Sequence, residues 1–231
     1  MFDFLTEHLD AFHRATGWDT SHRFGSFAHA ARTVLDFYPP HLPFHAVLGK
    51  SVSPHLKLAY SLGLPHRRSV SYLYSSVALP SLNVDKDAYV SSLDAHPKLV
   101  YGRLLENGHI EGLFVQRRSL QSQLLLSGTS TLFDHQSHLF AQWQTASGPW
   151  SYDFSFHSIG TLFGTQFIYQ LPEAPLALGA EVFYTHAERS GGLSLGVRYA
   201  ESDMELGKTS IVGTLNPMMV CAISAWFLLE S

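Results

Sequence analysis

The sequence has little cysteine and little charge. Its single cysteine, Cys221, excludes an internal disulfide framework and a zinc cluster built from cysteines. Charged residues make up 15% of the 231 residues, below the roughly 25% of ordinary soluble domains, and the net charge is −4. No basic excess points to nucleic acid as a partner. The polar character comes from Ser, Thr, Gln and 14 His, which suits a polar face that is enclosed or wet but lightly charged.

Long apolar runs are also missing. No stretch reaches the roughly 18 apolar residues of a transmembrane helix; the longest, Met218 to Leu229, is interrupted by Ser224. Near the start, Asp3, Glu7 and Asp10 argue against an Arg-rich transit peptide and against a secretory signal. We therefore expect any organelle address to be internal.

Recognisable catalytic and metal-binding motifs do not occur either. The sequence contains no phosphate-binding loop, dinucleotide-binding glycine motif, nucleophile elbow or His-Glu-x-x-His. Two histidine pairs have spacings that a metal could use, His41 with His45 and His135 with His138. Pro43 removes the first pair from a helix, and the second lies at a loop-to-strand boundary. We predict no catalytic residue, no metal site and no cofactor.

What is present begins with a helical pattern over residues 1–40. Apolar residues recur at helical spacing and Gly17 supplies a stop, and a second helical stretch over residues 25–35 is closed by two prolines. The pattern alone fits an ordinary amphipathic helix packed on a core. The apolar positions of the first helix are Phe2, Leu5, Leu9 and Phe12.

From residue 41 to residue 231 the period changes to two, which predicts β-strands. About eleven candidate strands follow, each near the 9–11 residues that a tilted membrane-spanning strand needs. One long connection, Pro80 to Pro97, is acidic and should be solvated. The clearest predicted strands are Pro54–Leu62, Ser69–Val77, Trp150–His157, Gly160–Leu171, Leu176–His186, Gly192–Ala200 and Lys208–Leu215.

Alternation of this kind fits a soluble β-sandwich as well as a membrane barrel. The apolar face is rich in aromatic residues near strand ends, as in interfacial girdles, and the other face carries Ser, Thr, Gly, Gln and His. Turning Lys57 toward lipid would cost roughly 2–4 kcal/mol near the midplane. We therefore expect Leu56, Leu58 and Tyr60 to face lipid or protein partners and Lys57 to face inward.

Several short segments form an ordered set of motifs along the chain. The most specific is the run Ser69–Ser76, followed by Leu79-Pro80. The others are Ala15–Asp19, Ser53-Pro54, Tyr60–Gly63, Tyr101–Leu104, Gly179–Tyr184, Ser190–Ser194, Gly196–Tyr199 and Thr214–Met219. Together these segments resemble the mitochondrial distribution and morphology protein 10 family of fungal outer-membrane barrels, in which the Ser69–Ser76 run resembles a family signature.

The resemblance implies an all-β transmembrane barrel of antiparallel strands, VDAC-like or porin-like, with an N-terminal helical segment at 1–40 in or near the lumen. It implies a non-enzymatic subunit of the ER–mitochondria encounter structure in the mitochondrial outer membrane. The implied partners are lipid-transfer subunits of that complex, the sorting and assembly machinery, and membrane lipids. The implied roles are phospholipid exchange, mitochondrial shape and assembly of other outer-membrane barrels.

Family members continue past the Thr214–Met219 segment with enough strands for a nineteen-strand barrel, whereas this chain has one more predicted strand, Ile223 to Leu229. We therefore expect a barrel that is incomplete over 41–231 and a chain that is truncated.

Two other functions fit the sequence: a solute- or protein-conducting pore, and a soluble β-sandwich binding module.

Tyr72 and Tyr74 are the candidate partner-binding residues. Both lie on the apolar face of the predicted strand that carries the family signature, and aromatic side chains often anchor interfaces. They are either lipid-facing aromatics of an ordinary strand or part of a lateral docking surface for another membrane protein.

Overall fold

The computed structural model describes residues 3–18, 24, 44–64, 67–79, 96–132, 137–172, 174–203 and 207–215. One helix and twelve strands lie in these ranges. They are α1 (Asp3–Ala15), β1 (Phe44–Ser51), β2 (Leu56–Leu64), β3 (Arg67–Ser75), β4 (Lys98–Leu105), β5 (His109–Ser119), β6 (Ser122–Thr131), β7 (Ser137–Ser147), β8 (Trp150–His157), β9 (Leu162–Gln170), β10 (Leu176–Thr185), β11 (Ser190–Asp203) and β12 (Gly207–Leu215).

The strands form a meander in which each hydrogen-bonds to its neighbours in sequence. Strands β1 to β6 pair successively and antiparallel, and so do β8 to β12. Strands β1 and β12 lie at the two ends of this order, so the sheet of described strands is not closed. The prediction of an incomplete antiparallel sheet with an N-terminal helix is confirmed.

Helix α1 forms because its apolar residues share one side, and it ends where the sequence predicts. Gly17 adopts a positive φ of 64°, which costs a residue without a Cβ little. The Gly17 amide donates to the Arg14 carbonyl, and the Trp18 amide donates to the His13 carbonyl at 2.8 Å. These two bonds make a Schellman cap, which turns the chain so that Trp18 lies beside the helix end.

The first compact unit comprises residues 1–19 and 39–143. Its core lies where α1 packs against β3, β4 and β5. Phe12 is completely buried at the centre of this core, with apolar residues of α1 and β6 at its margin. The buried partners of Phe12 in this cluster are Leu73, Val77, Leu79, Leu99, Tyr101 and Val115.

The second compact unit comprises residues 20–38 and 144–231. Its described buried core is small and contains Phe24, Ile168 and Ala177. Many of its large apolar side chains are exposed instead, and aromatic rings of β8 and β9 contact one another in a tilted arrangement across the two strands. The Trp150 ring centroid lies 4.1 Å from that of Tyr169.

Two strands begin later than predicted, for local reasons. Pro54 and His55 form a bend ahead of β2, and the Ser53 hydroxyl accepts hydrogen bonds from the amides of His55 and Leu56. This side-chain turn competes with the ladder. Before β9, residues Ile159–Thr161 form a tight turn in which Gly160 and Thr161 both have positive φ, so the extended strand starts only at Leu162.

Several predicted segments lie outside the described residues. They are the second helical stretch at 25–35, most of the acidic connection Pro80 to Pro97, and the predicted final strand Ile223 to Leu229. Within the described ranges, no helix combines enough length with enough apolar character to cross a bilayer.

Candidate functional site

The strands of the first unit have two faces of opposite character. We call the face against which α1 packs the covered face, and the other the open face. On β2, Lys57 lies on the covered face and is 7% exposed, whereas Leu58 lies on the open face and is 40% exposed. Neighbouring strands follow the same alternation. Exposed apolar residues of the open face include Leu58, Tyr60, Val70, Tyr72, Tyr74 and Leu104.

This arrangement agrees with the predicted orientation of β2. Leu58 and Tyr60 point away from the helix and Lys57 points toward it. The covered face combines buried polar side chains with the apolar cluster around Phe12, and the open face exposes a second set of large apolar side chains. The second unit repeats the pattern on β8, where Ser151 and Asp153 are buried while Tyr152 and Phe154 are exposed.

The covered face carries a connected polar network. The Arg103 guanidinium donates from Nε to the Ser69 hydroxyl at 2.9 Å and pairs with the Glu111 carboxylate at 3.4 Å. Ser69 also hydrogen-bonds Ser61, and the Tyr101 hydroxyl lies 3.4 Å from the Ser71 hydroxyl. These groups bond to one another, which makes them structural supports of the sheet.

Two further polar contacts join α1 and the turn after it to the covered face. Gln123 Nε2 and His13 Nε2 lie 3.2 Å apart, within hydrogen-bonding distance. The Arg117 guanidinium lies over the Trp18 ring, with 4.3 Å between Cζ and the ring centroid. Sequence reasoning identified neither contact, because each joins residues far apart in the chain.

His8 on α1 makes the stability of the unit sensitive to acid. Burial lowers the pKa of His8 below its ordinary value of 6.5, and the Lys57 charge adds to this, against the Phe4 carbonyl and Glu7, which raise it. The unfolded chain therefore takes up a proton at a higher pH than the folded chain. Stability should fall as the pH drops through 6.5 toward the lowered pKa.

We expect a His8→Gln variant to lose less stability than the parent chain between pH 7.5 and pH 5.5. Urea unfolding at the two pH values measures the difference. His109 is exposed at the start of β5, and His109→Gln serves as the matched control. Equal acid sensitivity of the parent chain and His8→Gln would contradict the assignment.

Tyr72 and Tyr74 stand side by side on the open face of β3, as predicted. They are 50% and 47% exposed, and their paired residues on β2 are Leu58 and Leu56. The Tyr72 ring lies against Gly102 on β4, since a methyl group at Gly102 would overlap it. The tyrosines are thus available from outside the sheet, and their role in partner binding stays a prediction.

The histidine pairs considered for metal binding do not form a described site. His41 and His135 lie outside the described residues, and nothing is described of the His45 side chain. Among the side chains that the structure describes, no three metal-binding groups lie close together. The prediction that the chain binds no metal or cofactor stays a prediction.

A second group of aromatic side chains lies on β8 and β9 of the second unit. Rings of these strands contact one another at centroid distances of 4.1–5.2 Å. The sequence showed each strand's aromatic face, but only the register of β8 with β9 pairs Trp150 with Tyr169 and Phe156 with Phe163.

In the first unit, antiparallel strands expose apolar side chains on the open face and carry buried polar side chains on the face that the N-terminal helix covers. The family model for Mitochondrial distribution and morphology protein 10 matches residues 1–91 and 80–228. The chain belongs to this family, whose name denotes a role in mitochondrial distribution and morphology. The resemblance found in the sequence is confirmed.

Relatives that carry the same name occur across fungi. Those of Phaeosphaeria nodorum and Sclerotinia sclerotiorum are each 25% identical, and that of Yarrowia lipolytica is 24% identical. Each alignment covers 95% of this chain and 69%, 68% and 73% of the respective relative. The chain thus spans about two thirds to three quarters of the length of these proteins.

Proposed function

We propose that the chain is a non-enzymatic β-barrel subunit of the mitochondrial outer membrane that tethers mitochondria to the endoplasmic reticulum. In this role it supports phospholipid exchange and mitochondrial morphology, and it takes part in assembling other outer-membrane barrels. The single observation that carries the proposal is the family match across nearly the whole chain. The alternation of open and covered faces supports the membrane location within it.

The physical argument for a membrane rests on the open face. Soluble monomers rarely expose contiguous apolar patches beyond a few hundred Å², yet β2, β3 and β4 present one apolar residue after another there. In register, Leu58 pairs with Tyr72, and Tyr60 pairs with Val70. Hydrocarbon would remove this surface from water at roughly 25 cal/mol per Å² of apolar area.

A non-enzymatic role agrees with the polar groups of the covered face. Arg103 and Glu111 pair with each other, and Ser69 bonds to Arg103 and Ser61. An activated nucleophile would instead need a neighbouring base aligned to take its proton. In the described residues these serines lie against a guanidinium or another hydroxyl, which supports a structural use.

For partner binding, we expect the double substitution Tyr72→Ala and Tyr74→Ala to reduce recovery of partner proteins several-fold. The tagged chain, expressed in a fungus and isolated in mild detergent, should bring down lipid-transfer subunits and the sorting and assembly machinery. Aromatic anchors at an interface contribute about 2 kcal/mol or more each. Quantitative mass spectrometry of the isolated complexes measures the loss.

The matched control is the pair Tyr152→Ala and Tyr184→Ala, which removes two similarly exposed tyrosines from the second unit. The control should retain partner recovery. Equal recovery from both double variants would remove the docking role of Tyr72 and Tyr74. If the unaltered chain recovers none of these partners, the proposed tethering function is contradicted.

A conducting pore is the second candidate, favoured by the polar side chains of the covered face. Conductance in planar bilayers separates the two functions, because a pore requires it and a tether does not. The helix α1 packs over that face through Phe12, so a pore would also need the helix to leave it. Steady conductance by the purified chain would favour the pore.

A further inference from the structure

Arg117 is a buried cation that lacks a counter-ion among the described residues. It is 2% exposed and lies on the covered face of β5. Its Nη2 donates to the Leu120 carbonyl at 2.7 Å. The ion pair that Arg103 forms with Glu111 has no equivalent here. A buried charge without a partner is costly. A group that neutralises the Arg117 charge would therefore stabilise the folded unit.

Among the described residues, two buried donors at this place have no acceptor. They are Arg117 Nη1 and the indole Nε1 of Trp18. Stacking does not satisfy either one, because guanidinium and indole N–H bonds lie in the planes of their groups, whereas the stacking contact uses the faces. Both donors belong to side chains in direct contact, at 4.3 Å from Cζ to the ring centroid.

The surroundings fix these donors in position. Trp18 is held by the Schellman cap of α1, in which its amide donates to the His13 carbonyl. Arg117 is held by the Leu120 carbonyl in the turn between β5 and β6. Completely buried Gln123 ties the same end of the helix to β6 through His13.

We propose that Arg117 and Trp18 form a binding site for a phosphate-type oxyanion at the junction of α1 with the β5–β6 turn. The guanidinium supplies the charge and a forked set of N–H groups that matches phosphate oxygens. The indole supplies a neutral N–H. The anion would neutralise Arg117 and join α1 to β5. The inference concerns the covered face and does not depend on the proposed tethering role.

Phosphate titration of the full chain tests the site. The protein is kept in a maltoside detergent without phosphate, and its thermal unfolding midpoint is followed as inorganic phosphate is added. Sodium chloride at equal ionic strength corrects for screening. We expect phosphate to raise the midpoint of the unaltered chain, because a ligand that binds the folded state stabilises it.

Arg117→Gln should abolish this rise or weaken the apparent affinity at least tenfold. Arg118→Gln is the matched control, since the neighbouring Arg118 is exposed and lies 6.0 Å from the Trp143 ring. It should retain the rise. Arg117→Lys keeps the charge but loses the fork, so it should bind with intermediate affinity, and it provides the test if Arg117→Gln does not fold.

A parallel titration with short-chain phosphatidic acid separates a lipid headgroup from free phosphate as the source. A rise that depends on Arg117 with either probe supports the site and identifies the source. No rise with either probe, or a rise that Arg117→Gln and Arg118→Gln share equally, overturns it. If the contact between Arg117 and Trp18 were purely structural, substituting Arg117 would change the unfolding midpoint measured without phosphate. It would not change how far added phosphate raises that midpoint.

Discussion

Replacing Phe12 with alanine is expected to lower the free energy of unfolding by about 3–5 kcal/mol. Phe12 is completely buried and is the residue of α1 that enters the core formed by β3, β4 and β5. Its removal would leave a cavity lined by Leu73, Leu99 and Val115. Those strands are held by their ladders and cannot collapse fully into the space, so the cost includes the cavity as well as the lost burial.

Urea unfolding of the chain in detergent measures the stability change, and limited proteolysis of residues 3–15 reports whether α1 leaves the sheet. Asp10→Ala is the matched control, because Asp10 is exposed on the same helix and alanine has a higher helix propensity. The control should be neutral or slightly stabilising. An equally small effect of Phe12→Ala would mean that α1 is not anchored through this side chain.

Substituting Leu58 with lysine is expected to reduce stable membrane insertion by roughly 2–4 kcal/mol, the cost of a lysine facing lipid near the bilayer midplane. Leu58 lies on the open face of β2, between Lys57 and Ala59 of the covered face. On the surface of a water-soluble sheet the same substitution would be harmless, because it replaces an exposed apolar group with a solvated one. The two environments therefore predict opposite results.

Folding into liposomes, followed by carbonate extraction, measures the fraction of chain that is inserted. Leu120→Lys is the control, since Leu120 lies in the turn between β5 and β6 and is 76% exposed. It should insert like the parent chain. Equal insertion of Leu58→Lys and Leu120→Lys would show that the open face does not meet hydrocarbon.

The faces of the sheet were predictable because a period of two is a local property. Once β2 was recognised, the side of Lys57 followed from that of Leu58. The end of α1 was predictable for a similar reason, because Gly17 carries its own stop signal. The start of β9 was not predictable in this way, because Gly160 and Thr161 adopt positive φ only in the folded turn.

The burial of Leu73 could not be predicted from the local sequence pattern. It falls among Ser69, Ser71 and Ser75 on the covered face of β3, where alternation alone predicts a polar position. In the fold, Leu73 packs in the same buried cluster as Phe12. An apolar residue on a polar face thus marked the place where α1 binds.

The sequence by itself determined the family, the strand meander and the side to which each residue of a strand points, because these depend on neighbours in the chain and on ordered motifs. Tertiary structure alone decided which strand each residue of α1 meets. It joined His13 to Gln123 and Trp18 to Arg117, pairs separated by most of the first unit's strands. Such contacts are set by ladder registers and helix placement, which no local periodicity encodes.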